Sequence, residues 1–495
     1  MTRWQKALAV FFAAAVAFVT AVAATVQTEQ TTLDKLKVMG KKLNLKIDPD
    51  QISTSGISSG GFMAHQLHVA HSSNLMGVGI IAGGPYHCAQ GSAVKGMQEC
   101  TAMGEVIRWL PDLPYLSYQG PDPAPQGREA SDKAMAMAKQ AVSDTLSVDK
   151  NNKIDNPKGL IGDRVILIHG KSDRLLPEGV MDATNQYYKM IYEHYGQALP
   201  ADTLTYLKTL PAEHSVPTDN FIGLKVAAGE KVMVGKGERV GNCKTFGSPY
   251  LNVCAKQDCA GSCCPESAKP ACGDPADSAN PACTQCDLQC STQCVTSIDA
   301  SGMILKHIYG GPSQEWKPRS NIKVKDWGQS VAPPTVEQGC KKGNKIDARC
   351  QWLRERIHTF DQPTVLADYR QSYLADKGFL FVPKQCIKGR TCKLHIAFHG
   401  CAQGYGFKDK DTVNALYSRI WPHFVENAGL NEWADANDIV VLYPQVLTTA
   451  LGGNPFGCWN FWGYGADFNN YPTRDGRQIS AVWKMVEVLV PSLKQ

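Results

Sequence analysis

Short, continuous apolar runs ended by glycine or by charged residues recur along the chain. Val78–Ala82 stops at Gly83-Gly84-Pro85, and Arg164–His169 encloses Val-Ile-Leu-Ile before Gly170. Leu394–Phe398 and Ile439–Tyr443 repeat the pattern late in the sequence. Runs of this length between turn residues predict strands buried on both faces. Gln51–Ser55 predicts a further short strand, running into Gly56-Ile57-Ser58-Ser59-Gly60-Gly61. From Phe62 to Ala70, Met63, Gln66, Leu67 and Ala70 follow helical spacing. Further helices are expected over Ala130–Ser147, Gly302–Tyr309, Ala415–Glu426 and Ser480–Val490. Thr25–Asn44 is a mostly polar lead-in able to hold a helix, and Leu110–Gln126 is a Pro-rich loop. Strands alternating with helices predict an α/β fold with a mostly parallel central sheet.

Two segments break the pattern. At the amino terminus, Arg3 and Lys6 precede an uncharged apolar run, Ala7–Val22, and Ala21-Val22-Ala23 supplies small residues for signal peptidase. This is the pattern of a secretory signal peptide, 1–23, with cleavage after Ala23. The run falls short of the roughly 20 residues a membrane span needs. From Asn242 to Cys294 the aliphatic residues almost vanish, and ten of the chain's 18 cysteines crowd in. Such a segment cannot build a core and must be ordered by covalent links. Zinc is the rival, because Cys283-x-x-Cys286 and Cys259-x-x-x-Cys263 have ligand-like spacing. In an exported chain with an even number of cysteines, disulfides are preferred. The expected division is therefore a first core segment, 24–242, a Cys-rich stapled insert, 243–294, and a second core segment, 295–495.

Composition adds limits. With 495 residues, 43% hydrophobic and 20% charged, the chain is an ordinary globular protein and not a disordered one. A net charge of +5 and the absence of a long basic block give no footing for nucleic-acid or anionic-membrane binding.

The chemistry begins at Gly56-x-Ser58-x-Gly60, which fits a nucleophile elbow: a turn between strand and helix so tight that glycines must flank the serine. Such a serine needs a base, and the base an orienting acid. Asp173, in the loop after the Arg164–His169 strand, is the preferred acid. Asp163 precedes that strand, and Asp182 falls within an expected helix. Among twelve histidines, His65, His68 and His71 lie on the elbow helix and His169 ends a strand. His214, in a polar loop after Asp173, keeps the Ser–Asp–His order of α/β-hydrolases. Their second oxyanion donor normally lies upstream of the serine, but too few residues precede Ser58 here. The matching strand and loop, Leu394–Phe398 and His399-Gly400-Cys401-Ala402-Gln403, come far downstream. A circular permutation of the fold resolves this, with the amides of Ser59 and Cys401 as oxyanion donors.

With these pieces assembled, the sequence resembles extracellular poly(3-hydroxybutyrate) depolymerases of the circularly permuted, single-domain type. The resemblance rests on Gly56–Ala64, Ala82-Gly83-Gly84-Pro85-Tyr86, the Asp173 loop and His214-x-x-Pro217-Thr218-Asp219. It continues through Asp299-x-x-Gly302 to Tyr309-Gly310, His399-Gly400-Cys401-x-Gln403 and Asn454-Pro455-x-Gly457-Cys458-Trp459-Asn460. It implies Ser58 as nucleophile, Asp173 and His214 as its partners, the Ser59 and Cys401 amides as oxyanion donors, and no metal or organic cofactor. The Cys-rich insert and the length near Ser313–Asp361 exceed the compact members, and no Thr-rich linker or C-terminal polymer-binding module is present.

The implied substrate is a polyester polymer or oligomer, for which Trp459 and Trp462 offer aromatic surface. The alternative for both tryptophans is a packing role. Cys401 with Cys458, Cys386 with Cys392, Cys340 with Cys350 and Cys88 with Cys100 are sensible disulfide partners, although sequence does not fix connectivity. The rival activities are a feruloyl or acetyl esterase on polysaccharide-linked esters, and a surface-binding protein that uses the insert on an inactive hydrolase scaffold.

Overall fold

The computed structural model describes residues 30–102, 128–218, 241–244, 246, 250–254, 298–311, 316–320, 340–342, 345–346, 348–364, 366, 371–405, 423–449, 453–465 and 467–493. The expected signal peptide and Pro-rich loop, Asp219 and nearly all of the expected Cys-rich insert lie outside the described residues.

In chain order the strands are β1 (Lys46–Ile57), β2 (Gly77–Ile81), β3 (Arg164–Gly170), β4 (Leu204–Leu210), β5 (Val216–Thr218), β6 (Gly241–Asn242) and β7 (Leu251–Val253). They continue with β8 (Lys341–Lys342), β9 (Lys345–Ile346), β10 (Ile357–Asp361), β11 (Lys377–Phe381), β12 (Thr391–Phe398) and β13 (Ile439–Tyr443). Eight of them form one sheet in the order β10-β11-β13-β12-β1-β2-β3-β4. Only β11 runs antiparallel to its neighbours; the remaining pairings, from β13 to β4, are parallel. The expected mostly parallel α/β sheet is therefore present.

Every residue of β2 and of β13 is buried, as continuous apolar strands must be when both faces are covered. One cover is the helix Ala300–Tyr309. Its Ile304 fills the space over Gly79, where any Cβ would come within 2.9 Å of it. Asp299 caps this helix by accepting the Gly302 amide at 3.2 Å. The elbow helix Ser59–Ala70 is buried along its whole length. Expected helices at 130–147 and 480–490 extend to Arg128–Asp149 and Arg477–Leu489.

The strand order explains how distant segments meet. β1 pairs in parallel with β12, with Gly56 beside Phe398, so the loops after these strands leave the sheet at the same end. The loops after β2, β3 and β4 open at that end as well. Sequence segments near 58, 173, 214 and 399 thus converge at the carboxyl ends of neighbouring parallel strands, where open α/β sheets place their sites.

Candidate active site

Ser58 sits between β1 and the elbow helix with φ 57° and ψ −127°. That region is costly for a residue with a Cβ, and such strain persists only where the surroundings impose it. They do so here. The Ser58 amide donates to Ile81 O at 2.9 Å and its carbonyl accepts from Phe62 N at 3.0 Å. A Cβ on Gly56 would lie 2.1 Å from Gly60 O, and one on Gly60 would lie 2.4 Å from both His399 O and Phe398 O. The two glycines of the elbow are therefore fixed by close backbone approach, to the helix and to the β12 loop respectively.

The loops that carry Asp173 and His214 are laced together. The Lys171 amide donates to Leu210 O at 2.6 Å and that of Ser172 to Ala212 O at 3.1 Å. Asp173 Oδ1 accepts the amides of Leu175 and Leu176 at 2.9 and 2.8 Å. Its Oδ2 lies 2.9 Å from His214 Nδ1, with both side chains buried. Burial by itself would raise the Asp173 pKa. The adjoining His214, with which it shares charge and a hydrogen bond, and the Leu176 amide outweigh burial and hold it below the ordinary aspartate value. No hydrogen bond joins Ser58 to His214 among the described residues; in unliganded sites such contacts are often long and tighten with substrate.

His214 is also held from its far side. Cys243 and Cys254 form a disulfide that closes a loop against the base. The Glu213 amide donates to Cys243 O at 2.8 Å and that of Val216 to Tyr250 O at 2.9 Å, while β5 pairs in parallel with β7. Tyr250, at φ 56°, presents its ring edge-on to the imidazole, with centroids 6.0 Å apart. Composition assigns Cys243 and Cys254 to the insert; in the fold their bond closes a loop that packs on the His214 segment through Cys243 O and Tyr250 O. Glu213, Arg174 and Tyr250 carry no sequence signal of their own.

The loop after β12 reaches the serine. A Cβ on Gly400 would come 3.3 Å from Ser58 Cβ. The Gly400 amide is taken by Gln403 Oε1 at 2.6 Å and the Ala402 amide by Phe456 O at 2.7 Å. The Cys401 amide between them donates to no group among the described residues. Ser59 occupies the first position of the elbow helix, where an amide has no partner within the helix. Gln403 thus acquires a role that the His-Gly-Cys-x-Gln motif hinted at without explaining. His399 packs under the loop, its Nδ1 2.7 Å from Gly400 O and its Nε2 accepting the Val446 amide at 3.3 Å. Burial lowers its pKa to about 4 despite the Gly400 carbonyl.

The four disulfide pairs suggested from sequence, Cys88–Cys100, Cys340–Cys350, Cys386–Cys392 and Cys401–Cys458, are all formed. The last ties the β12 loop to the aromatic loop. There Trp459 is wholly buried, edge-on to Phe398 with centroids 4.7 Å apart and tilted against His399. Trp459 thus packs within the fold, its ring covered by its neighbours. Trp462 is half-buried against Phe461 and Tyr464. His65 and His68 are buried with pKa values lowered to about 3 by desolvation, and His71, lowered likewise, stacks on Trp483. His169 is buried with Nε2 2.9 Å from Leu176 O. Asp163 bonds His68 instead of a base near Ser58. Among the described residues no group of three His, Cys, Asp or Glu could hold a metal.

A sheet of this order, with a strained serine on the turn between strand and buried helix, defines the α/β-hydrolase architecture. Comparison with known proteins narrows the class. No family model matches the chain. It is 29% identical over 447 residues to a poly(3-hydroxybutyrate) depolymerase of Delftia acidovorans, a match covering 90% of this chain and 60% of that protein. The chain thus spans about three fifths of the length of that relative. It is 24% identical over 456 residues to a polyhydroxybutyrate depolymerase of Talaromyces funiculosus, covering 90% and 91% of the two chains.

Two solved structures share the fold at a TM-score of 0.54, each covering 91% of this chain and 98% of theirs. One is the PHB depolymerase from Penicillium funiculosum, 22% identical. The other is a serine-to-alanine variant of a PHB depolymerase complexed with R3HB trimer, 21% identical. The chain is therefore similar to PHB depolymerases in sequence over nine tenths of its length, and it shares their fold.

Proposed function

We propose that the protein is an exported serine esterase that hydrolyses poly(3-hydroxybutyrate) or its oligomers. The observation that carries this reading is the buried Asp173–His214 pair, 2.9 Å apart, on loops that open at the same end of the sheet as the strained Ser58. In this reading His214 takes the Ser58 proton as Oγ attacks the ester carbonyl. The oxyanion that forms is held by the amides of Ser59 and Cys401, and Asp173 stabilises the imidazolium. The imidazolium then returns its proton to the departing hydroxyl end, which leaves a hydroxybutyryl ester on Ser58. Water, deprotonated by His214, releases the acid and restores the serine.

The sheet order supports a circular permutation. Strands β10 to β13 follow the nucleophile in sequence yet lie on the side of β1 from which the oxyanion loop comes. Residues 24–242 and 295–495 are then two halves of one hydrolase core, with 243–294 set between them. Five disulfides among the described residues support export.

The test is release of 3-hydroxybutyrate from amorphous polymer by the purified protein, beside a nitrophenyl ester and a feruloyl ester, with Ser58→Ala as control. Polymer hydrolysis abolished in the variant is the expected result. Turnover of the small or feruloyl ester alone would overturn the substrate, and activity retained without Ser58 would overturn the mechanism.

A further inference from the structure

Beside the base lies a second buried carboxylate that the mechanism does not use. Glu213 is 1% exposed. Its Oε1 accepts the backbone amide of Arg174 at 2.9 Å, and its Oε2 lies 3.2 Å from Arg174 Nε. Arg174 follows Asp173 in the chain, as Glu213 precedes His214. The acid and base loops are therefore joined twice in parallel, by Asp173–His214 and by Arg174–Glu213.

A buried carboxylate is expensive, and a neutral amide could serve the same amide donor at lower cost. What an amide could not do is balance a guanidinium. Without that balance a positive charge would stand next to the acid that must stabilise the imidazolium. Burial raises the Glu213 pKa, Arg174 opposes this, and the Asp173 charge adds to it, so the two carboxylates feel one another.

We propose that Glu213 and Arg174 form a positioning pair for the Asp173–His214 dyad. The carboxylate clamps the acid loop by its backbone, and the ion pair keeps the dyad's surroundings electrically neutral. This rests on the reading of Ser58, Asp173 and His214 as catalytic. Among the described residues, the charged and titratable groups facing the dyad are Asp173 and Arg174 on the acid loop, His169 at the end of β3, Glu213 on the base loop and Tyr250 on the disulfide-closed loop.

The experiment is the pH profile of kcat/KM on a soluble nitrophenyl ester. Glu213→Gln keeps an acceptor for the Arg174 amide but removes the carboxylate charge that opposes the guanidinium. The imidazolium is then disfavoured, and the acidic limb moves to lower pH by about half a unit. Adding Arg174→Gln to that variant removes the excess charge and returns the limb to the parent position. Glu213→Ala, which also removes the clamp, lowers kcat about tenfold with little change in KM.

A limb that does not move in Glu213→Gln, or does not return in the double variant, overturns the proposal. Should circular dichroism show that Glu213→Gln fails to fold, Arg174→Gln alone reads the same pairing: an upward shift supports it and no shift overturns it. Loss of activity in Ser58→Ala is scored separately, so failure of the pair and failure of the catalytic reading are distinguishable.

Discussion

Lowering the pH from 7 to 5 should cost the folded protein about 2 kcal/mol through His395 alone. This histidine stands on β12 directly beside Ser53 of β1, fully buried. Its Nδ1 and Nε2 each lie 2.7 Å from a serine hydroxyl, Ser53 and Ser55 respectively. Ser53 donates to the Tyr309 hydroxyl at 2.6 Å, and Tyr309 donates to Leu394 O at 2.7 Å. Ser53 has thus spent its proton and must accept from Nδ1–H, which leaves Nε2 as the acceptor of Ser55. A second ring proton would have to turn the Ser55 hydroxyl proton away from Nε2, and burial lowers the pKa to about 3.

The unfolded chain binds a proton at this position below about pH 6.5 and the native state does not. Stability present above that pH is therefore lost as pH falls, until the native ring titrates as well. At pH 5 the cost is set by the unfolded value alone. The assay is urea unfolding followed by tryptophan fluorescence at pH 7, 6 and 5, for the parent and for His395→Asn. The variant should be less stable at pH 7, having lost its bridge between two hydroxyls. Between pH 6 and 5 its stability should fall by about 1.2 kcal/mol less than that of the parent. His65 and His399 are unchanged between the two proteins and cancel. Parallel curves would refute the neutral, doubly bonded imidazole.

Three further outcomes follow from the geometry. Gly60→Ala drives a Cβ into two carbonyl oxygens at 2.4 Å and should cost about 3 kcal/mol or more, seen as a melting temperature lowered by several degrees or as failure to accumulate; an unchanged melt would contradict the close approach of the elbow and the β12 loop. Replacing Cys401 and Cys458 together by serine should reduce kcat for a soluble ester about tenfold while leaving KM near the parent, since on the proposed mechanism the disulfide orients an oxyanion donor; a pure KM effect would argue against that role. Because Cys254 O accepts the Ile298 amide at 3.1 Å, replacing residues 255–297 with a short Gly/Ser linker should leave soluble-ester turnover within about twofold of the parent, and its loss would show that the insert supports the site.

What the sequence revealed, and what it hid, follows from the range of the interactions involved. The runs that became β2, β3, β12 and β13 are visible because burial on both faces admits almost no polar residue. Three of the four disulfide pairs suggested from sequence lie where short loops bring cysteines together, and Cys401–Cys458, 57 residues apart, is the long-range exception. β4 was harder to read. Leu204–Leu210 mixes polar and apolar residues without a regular alternation because it is an edge strand, and only Leu207 and Leu210 are buried.

β10 and β11 lie at the other edge, where Ile357–Asp361 has Phe360 as its only buried position. The functional loops show the same division. Ser58 is legible because its turn imposes glycines at fixed spacing, whereas nothing local marks Glu213 or Tyr250. Their roles depend on which loops the strand order places side by side. Cys243 and Cys254 share the composition of the insert, yet their bond holds the loop that packs on His214. Trp459 shows the opposite hazard. A glycine-punctuated aromatic loop suggests exposed surface, but the disulfide from Cys458 draws the adjoining tryptophan beneath the β12 loop, where Phe398 and His399 cover it.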